Sequence, residues 1–114
     1  MNLLMLKDEK QLAEFHHHSF DIHNKGALLF KHSTRCSLSD VALNRLERAW
    51  NIPDKILPVY YLDLLAHRHL SSEIAIKYGI PHESPQILII KNGKCIYTAS
   101  HSGIIFKDIQ KFIS

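Results

Sequence analysis

The sequence lacks most of the features that would assign it a class at once. No apolar run approaches the roughly 20 residues of a membrane span. The first ten residues hold one short apolar run, Leu3 to Leu6, followed by charges. They have no basic start, long apolar centre or small-residue cleavage site, so a cytoplasmic protein with no membrane partner is expected. Only two cysteines occur, Cys36 and Cys95, 59 positions apart. That spacing excludes a C-x-x-C redox pair and a zinc knuckle, and a cytosolic chain is not expected to hold a structural disulfide. There is no strong excess of one charge: 14 basic residues against 11 acidic give +3. Lys7, Lys25, Lys55, Lys77, Lys91 and Lys111 are scattered rather than clustered with aromatics, so a solvated surface is expected and no nucleic-acid partner. No internal repeat or low-complexity segment is present, apart from the triplet His16-His17-His18.

What remains is the composition of one globular domain spanning 1–114. Hydrophobic residues are 46% and charged residues 22% of the 114. A chain of this length buries roughly two-thirds of its unfolded surface, enough for a core without staples.

The order of elements follows from periodicity and punctuation. Asp8 with Gln11 resembles a capping box and predicts a helix over about 8–16 that buries Leu12 and Phe15. Ala27 to Phe30 is a continuous apolar run bounded by Gly26 and His32-Ser33-Thr34, which reads as a strand buried on both faces. Leu38, Val41, Ala42, Leu46, Ala49 and Trp50 recur at three and four, predicting a helix over 38–51. Val59 to Leu64 is β-branched and aromatic, a second strand. Ser71 and Ser72 are candidate caps of a helix through Tyr78 that Gly79 ends. Gln86 to Ile90 and Lys94 to Ala99 flank Asn92-Gly93, the type I′ hairpin signal. Gly103 opens a last helix with Ile105, Ile109 and Phe112 on one face.

Two strands separated by a helix should be parallel with a right-handed crossover, and the hairpin strands antiparallel. The fold class expected is therefore α/β: a thioredoxin-like, mixed four-stranded sheet flanked by helices on both faces.

Cys36 falls between a buried strand and the first turn of a helix. Unpaired backbone N–H groups and the positive end of the helix dipole face such a thiol and favour the thiolate, the form that attacks. Arg35 is adjacent, His32 adds to the effect when protonated, and Ser33 or Thr34 is placed to cap the helix. Free cysteines are often simply buried. Here Arg35, Ser37 and Ser39 are polar and point to a wet turn, which favours a nucleophile. Ser39 stands where a dithiol enzyme carries its second cysteine. A hydroxyl cannot close an internal disulfide, so a mixed disulfide on Cys36 must be released by an outside thiol. The alternative for Ser39 is a first-turn polar residue without a chemical role. Pro85 lies immediately before a strand, 49 residues after Cys36. In this architecture a cis proline stands there beside the nucleophile, with Ser84 offering backbone groups to a substrate; the alternative is a trans proline on an edge strand. Cys95 is expected to be a buried, inert residue on the same side of its strand as Tyr97.

With these residues in view, the chain resembles the monothiol bacilliredoxin family, thioredoxin-like proteins of bacteria that make bacillithiol. The similarity spans nearly the whole chain. It is carried by Phe30-Lys31-His32-Ser33-Thr34-Arg35-Cys36 and by Ser84-Pro85-Gln86. Tyr78-Gly79-Ile80, Asn92-Gly93-Lys94 and Ser100-His101-Ser102-Gly103-Ile104 match as well. The resemblance implies removal of bacillithiol from mixed disulfides on protein cysteines. Cys36 would be the catalytic nucleophile, and His32, Thr34, Arg35, Ser39, Ser84 and Pro85 would form the thiol site. It implies no bound cofactor, with bacillithiol as thiol co-substrate. The implied partners are bacillithiolated cytosolic proteins, a low-molecular-weight thiol and a disulfide reductase. Arg35 and Ser37 depart from the family pattern, which has a small residue before the cysteine and a proline after it. The arginine adds positive charge and the missing proline leaves an extra N–H. Both bear on preference for acidic thiols, since bacillithiol carries a malate carboxylate pair.

Two other classes compete. A C-x-x-S monothiol protein can hold an iron–sulfur cluster between two subunits, with Cys36 as ligand. A non-catalytic module can grip an extended peptide along the Pro85 edge. The nine histidines supply imidazoles in His16-His17-His18, His23 and His67-x-His69. Neighbouring histidines on a helix diverge and two ligands are too few, so no metal site is expected.

Overall fold

The segment Ala27–His32 (β2) is buried at all six positions. Only a strand covered on both faces satisfies that pattern. Its neighbours are Leu3–Met5 (β1), Val59–Asp63 (β3), Gln86–Lys91 (β4) and Lys94–Ser100 (β5). In the computed structural model, which describes residues 1–113, they form a five-stranded sheet of order β1-β3-β2-β4-β5. β1 and β2 both pair with β3 in parallel, while β4 runs antiparallel to β2 and to β5. The thioredoxin-like fold is as expected, with one strand more than the four read from sequence. β1 escaped that reading because it is three residues long, pairs only with β3, and leaves Leu4 and Met5 exposed. An edge strand of that kind shows no alternation.

Helices cover both faces. Leu12 and Phe15 of Glu9–His18 (α1) and Leu70 and Ile74 of Arg68–Tyr78 (α3) pack against Leu29, Tyr60, Leu62 and Leu88. Ala42 and Leu46 of Ser37–Ala49 (α2) and Ile109 of Phe106–Gln110 (α4) pack against Leu28, Phe30, Val59 and Ile87 on the other face. The pleat sends alternate residues of one strand into these two cores.

Helix ends differ from expectation in instructive ways. Asp8 caps α1, its Oδ1 accepting from the Gln11 N–H at 2.8 Å. Gln11 reaches back to the Lys7 N–H at 2.6 Å, one residue earlier than in a standard capping box. α2 begins at Ser37 with Cys36 itself as N-cap, not Ser33 or Thr34. α3 begins at Arg68 with His67 as N-cap, so Ser71 and Ser72 lie inside the helix instead of capping it. Gly79 ends α3 in the left-handed conformation at φ +68°. The last helix starts at Phe106, after a 3-10 turn over His101–Gly103, and leaves Ile105 exposed.

The Asn92-Gly93 turn has positive φ at both residues, as a type I′ turn requires. β5 then departs from regular pairing: Ile89 faces Tyr97 and Ile90 faces Cys95, so Ile96 is an extra residue. The bulge turns the chain over. Cys95 packs on the α1–α3 side and Tyr97 on the α2–α4 side, a correction to the expectation that they share a side.

Candidate active site

The site is built at the carboxyl ends of β2 and β3. Beyond His32 the chain makes a tight turn in which the Cys36 N–H donates to the Ser33 carbonyl at 3.1 Å. Thr34 and Arg35 form the exposed corner of this turn, and Cys36 is half-buried. The Cys36 carbonyl accepts the first helical bonds, from Ser39 at 3.0 Å and Asp40 at 3.3 Å. Its side chain makes no cap bond. Cys36 is thus the N-cap of a helix whose first N–H groups have no intrahelical partner.

Beneath the turn lies a buried polar chain. His32 is only 4% exposed and Ser39 is fully buried. The Ser39 Oγ is 2.6 Å from His32 Nδ1 and accepts the Ser33 N–H at 3.1 Å. His32 Nε2 lies 3.3 Å from the Asp40 carboxylate, which assigns a proton to Nε2. The ring stacks obliquely on Tyr61 at 5.4 Å. Ser39 has no free surface with which to meet a ligand: its hydroxyl ties the end of β2 to the first turn of α2. Asp40 went unnoticed in the sequence because its partner lies eight residues away on another element, outside any helical or strand period.

Ser84-Pro85 is a cis peptide bond. Lys31 pairs with Gln86, so Pro85 and the Cys36 turn lie at the same end of the sheet. Ser84 is half-buried, and its Oγ has no hydrogen-bond partner among the described residues. The structure thus brings Cys36, Thr34, Arg35, Ser84 and Pro85 to one sheet end, with His32 and Ser39 as the layer below.

Residues 4–109 match the family described as Monothiol bacilliredoxin BrxC. The chain belongs to the monothiol bacilliredoxin family. Among solved structures, it is similar to an oxidoreductase candidate with a thioredoxin fold at 26% identity and a TM-score of 0.76, over 98% of this chain and 94% of that one. The thioredoxin of Malassezia sympodialis superposes with a TM-score of 0.72 at 16% identity, covering 98% and 88% of the two chains. A mutant thioredoxin from Halobacterium salinarum gives 0.71 at 15%, covering 99% and 92%. The last two likenesses concern the fold alone.

In this chain the second cysteine is remote. Cys95 faces Ile90, which pairs with Ala27 at the opposite end of β2 from Lys31. Four residue steps along the strand separate those ends, roughly 13 Å, beyond the reach of a disulfide. Cys95 is half-buried, its thiol donates to the Tyr97 carbonyl at 3.3 Å, and burial pushes its pKa up. Burial outweighs the backbone hydrogen bonds at Tyr97 and Ile89, which pull the other way, and favours the neutral thiol. Two of the three histidines of α1 are engaged: His16 and His18 bond the hydroxyls of Tyr78 and Tyr60 at 2.8 and 2.9 Å, while His17 is exposed. Among the described residues no three His, Cys, Asp or Glu side chains gather as a metal site, and no helix is long and apolar enough to cross a membrane.

Proposed function

We propose that this protein removes bacillithiol from mixed disulfides on cytoplasmic proteins by monothiol exchange at Cys36. The observation that carries the reading is a half-exposed cysteine at a helix N-cap, with Ser39 three residues later and Cys95 at the far end of the sheet. Family membership supports the thiol redox class.

The Cys36 thiolate attacks the bacillithiol sulfur of the mixed disulfide. A new S–S bond forms on Cys36, and the substrate protein leaves as its thiolate, which takes a proton from solvent. A second bacillithiol thiolate then attacks the same bacillithiol sulfur. Cys36 leaves as thiolate, and the two bacillithiols depart as their disulfide for a reductase to reduce. The His32–Ser39–Asp40 chain positions the turn, Arg35 attracts the acidic co-substrate, and Ser84 and Pro85 border the groove.

The test is release of bacillithiol from a labelled test protein in the presence of free bacillithiol, beside the same protein carrying glutathione. Wild type and Cys95→Ser should release bacillithiol, Cys36→Ser should not, and the glutathione substrate should be slower by tenfold or more. Equal rates on both substrates would overturn the bacillithiol assignment, and an active Cys36→Ser would overturn the mechanism.

A further inference from the structure

Lys31 is fully buried, and buried ammonium groups are normally paired. No carboxylate lies within 4 Å of it among the described residues. Its Nζ has a single long contact, 3.4 Å to the Ser71 carbonyl. Beside it a cleft of about 270 Å³ is lined by Leu64, Arg68, Ser71, Ser72 and His82. Arg68 is exposed and also has no carboxylate partner, and the first turn of α3 holds no acidic residue. Ser71 joins the two layers, its carbonyl on Lys31 and its Oγ 3.1 Å from His82 Nδ1. Two carboxylates close by in sequence hold hydrogen bonds of their own, and the charge of Glu83 is felt at His82. Glu83 bonds Ser100, and Asp63 accepts from the N–H groups of Leu65 and Ala66.

Arg68, two hydroxyls and an imidazole line the cleft, Lys31 lies behind its Ser71 wall, and neither cation has a carboxylate within 4 Å among the described residues, which suits the cleft to an anion. The cleft also adjoins the thiol site. The Leu64 N–H donates to the His32 carbonyl at 2.9 Å, and Lys31 and His82 stand five and three residues from Cys36 and Pro85 in sequence. Its volume falls below the roughly 300–1,000 Å³ that encloses a whole drug-sized ligand, so it takes one end of a molecule and leaves the other free.

We propose that this cleft is the carboxylate subsite for the low-molecular-weight thiol, with Arg68 gripping a carboxylate as a fork, Ser72 and His82 completing the contact, and Lys31 supplying positive charge from behind. The proposal rests on the exchange reading above for the identity of the thiol, but the existence of the subsite does not. Bidentate guanidinium–carboxylate pairing supplies geometry as well as attraction.

L-Malate, which has no sulfur, is the first probe, followed by two-dimensional amide and imidazole NMR. Expected are saturable shifts at Arg68, Ser71, Ser72 and His82, weakened tenfold or more in Arg68→Gln, with inorganic phosphate binding more weakly than malate. Arg68→Gln should also raise the KM for free bacillithiol by about tenfold with kcat little changed. Shifts confined to Arg35 and the Cys36 turn would overturn the proposal. Phosphate binding as tightly as malate would overturn the carboxylate assignment. Malate binding at the cleft without any exchange activity would leave the subsite standing and sink the bacillithiol reading instead.

Discussion

The buried Lys31 makes a prediction about stability that can be worked out in advance. Burial pushes its pKa from 10.5 down to about 8. Because the folded value lies below the unfolded one, the unfolded chain binds more protons between pH 8 and 10.5, and this residue makes stability rise with pH across that window. Below pH 8 the charged ammonium is carried at a cost. At roughly 1.4 kcal/mol per pH unit, the gap corresponds to about 3 kcal/mol. Lys31→Met keeps the stem's volume and removes the charge, so the variant should be more stable than wild type at pH 7 by about 3 kcal/mol. In urea titrations that is a midpoint gain of roughly 1–3 M. The gain should fall away as pH rises from 8 to 10.5. Burial also raises the pKa of Tyr60, Tyr61 and Tyr97, which costs stability as pH climbs through 10, but both proteins share those groups and the difference cancels them. A variant less stable than wild type at pH 7, or a gain that does not change with pH, would refute the reasoning.

Other expectations concern the scaffold of the site. Ser39→Ala strands the Ser33 N–H and His32 Nδ1 in a buried layer; the loss should be about 1–3 kcal/mol by urea denaturation, with alkylation of Cys36 also altered, and a change under 0.5 kcal/mol would show the chain to be ornamental. Gly26 has φ +140°, and a Cβ there would lie 2.9 Å from Ile89 Cγ2 and 3.0 Å from the Ile90 carbonyl oxygen. Gly26→Ala should therefore cost more than about 1 kcal/mol, while an unchanged thermal midpoint would mean that the start of β2 is more pliant than its packing shows.

The geometry of the candidate site was legible where the signals are local. Cys36 at a strand-to-helix junction, Pro85 before a strand and Asn92-Gly93 between two strands each announce themselves within a few residues. What stayed hidden depends on tertiary register. The β5 bulge puts Cys95 and Tyr97 on opposite faces, although their spacing of two places them together in a regular strand. Ser39 reads as a wet first-turn serine until α2 docks on the sheet and buries it against His32. Lys31 carried a faint signal: it follows Leu29 by two in an inward-facing run, so the pleat buries whichever residue stands there. The hydrophobic pattern ended at Phe30, and the strand did not. Arg68 and His82 become neighbours only when α3 folds back to the Pro85 segment, which no periodicity records.

The central claim, that Cys36 alone takes the thiol from a substrate, is tested most directly by intact-mass spectrometry. Reduced Cys95→Ser protein would be mixed with a bacillithiolated test protein, without free bacillithiol, and quenched with acid. The account predicts one bacillithiol mass on Cys95→Ser, located at Cys36, and an equal loss from the test protein. It would be contradicted by an unmodified Cys36 that remains fully open to alkylation while the test protein keeps its bacillithiol.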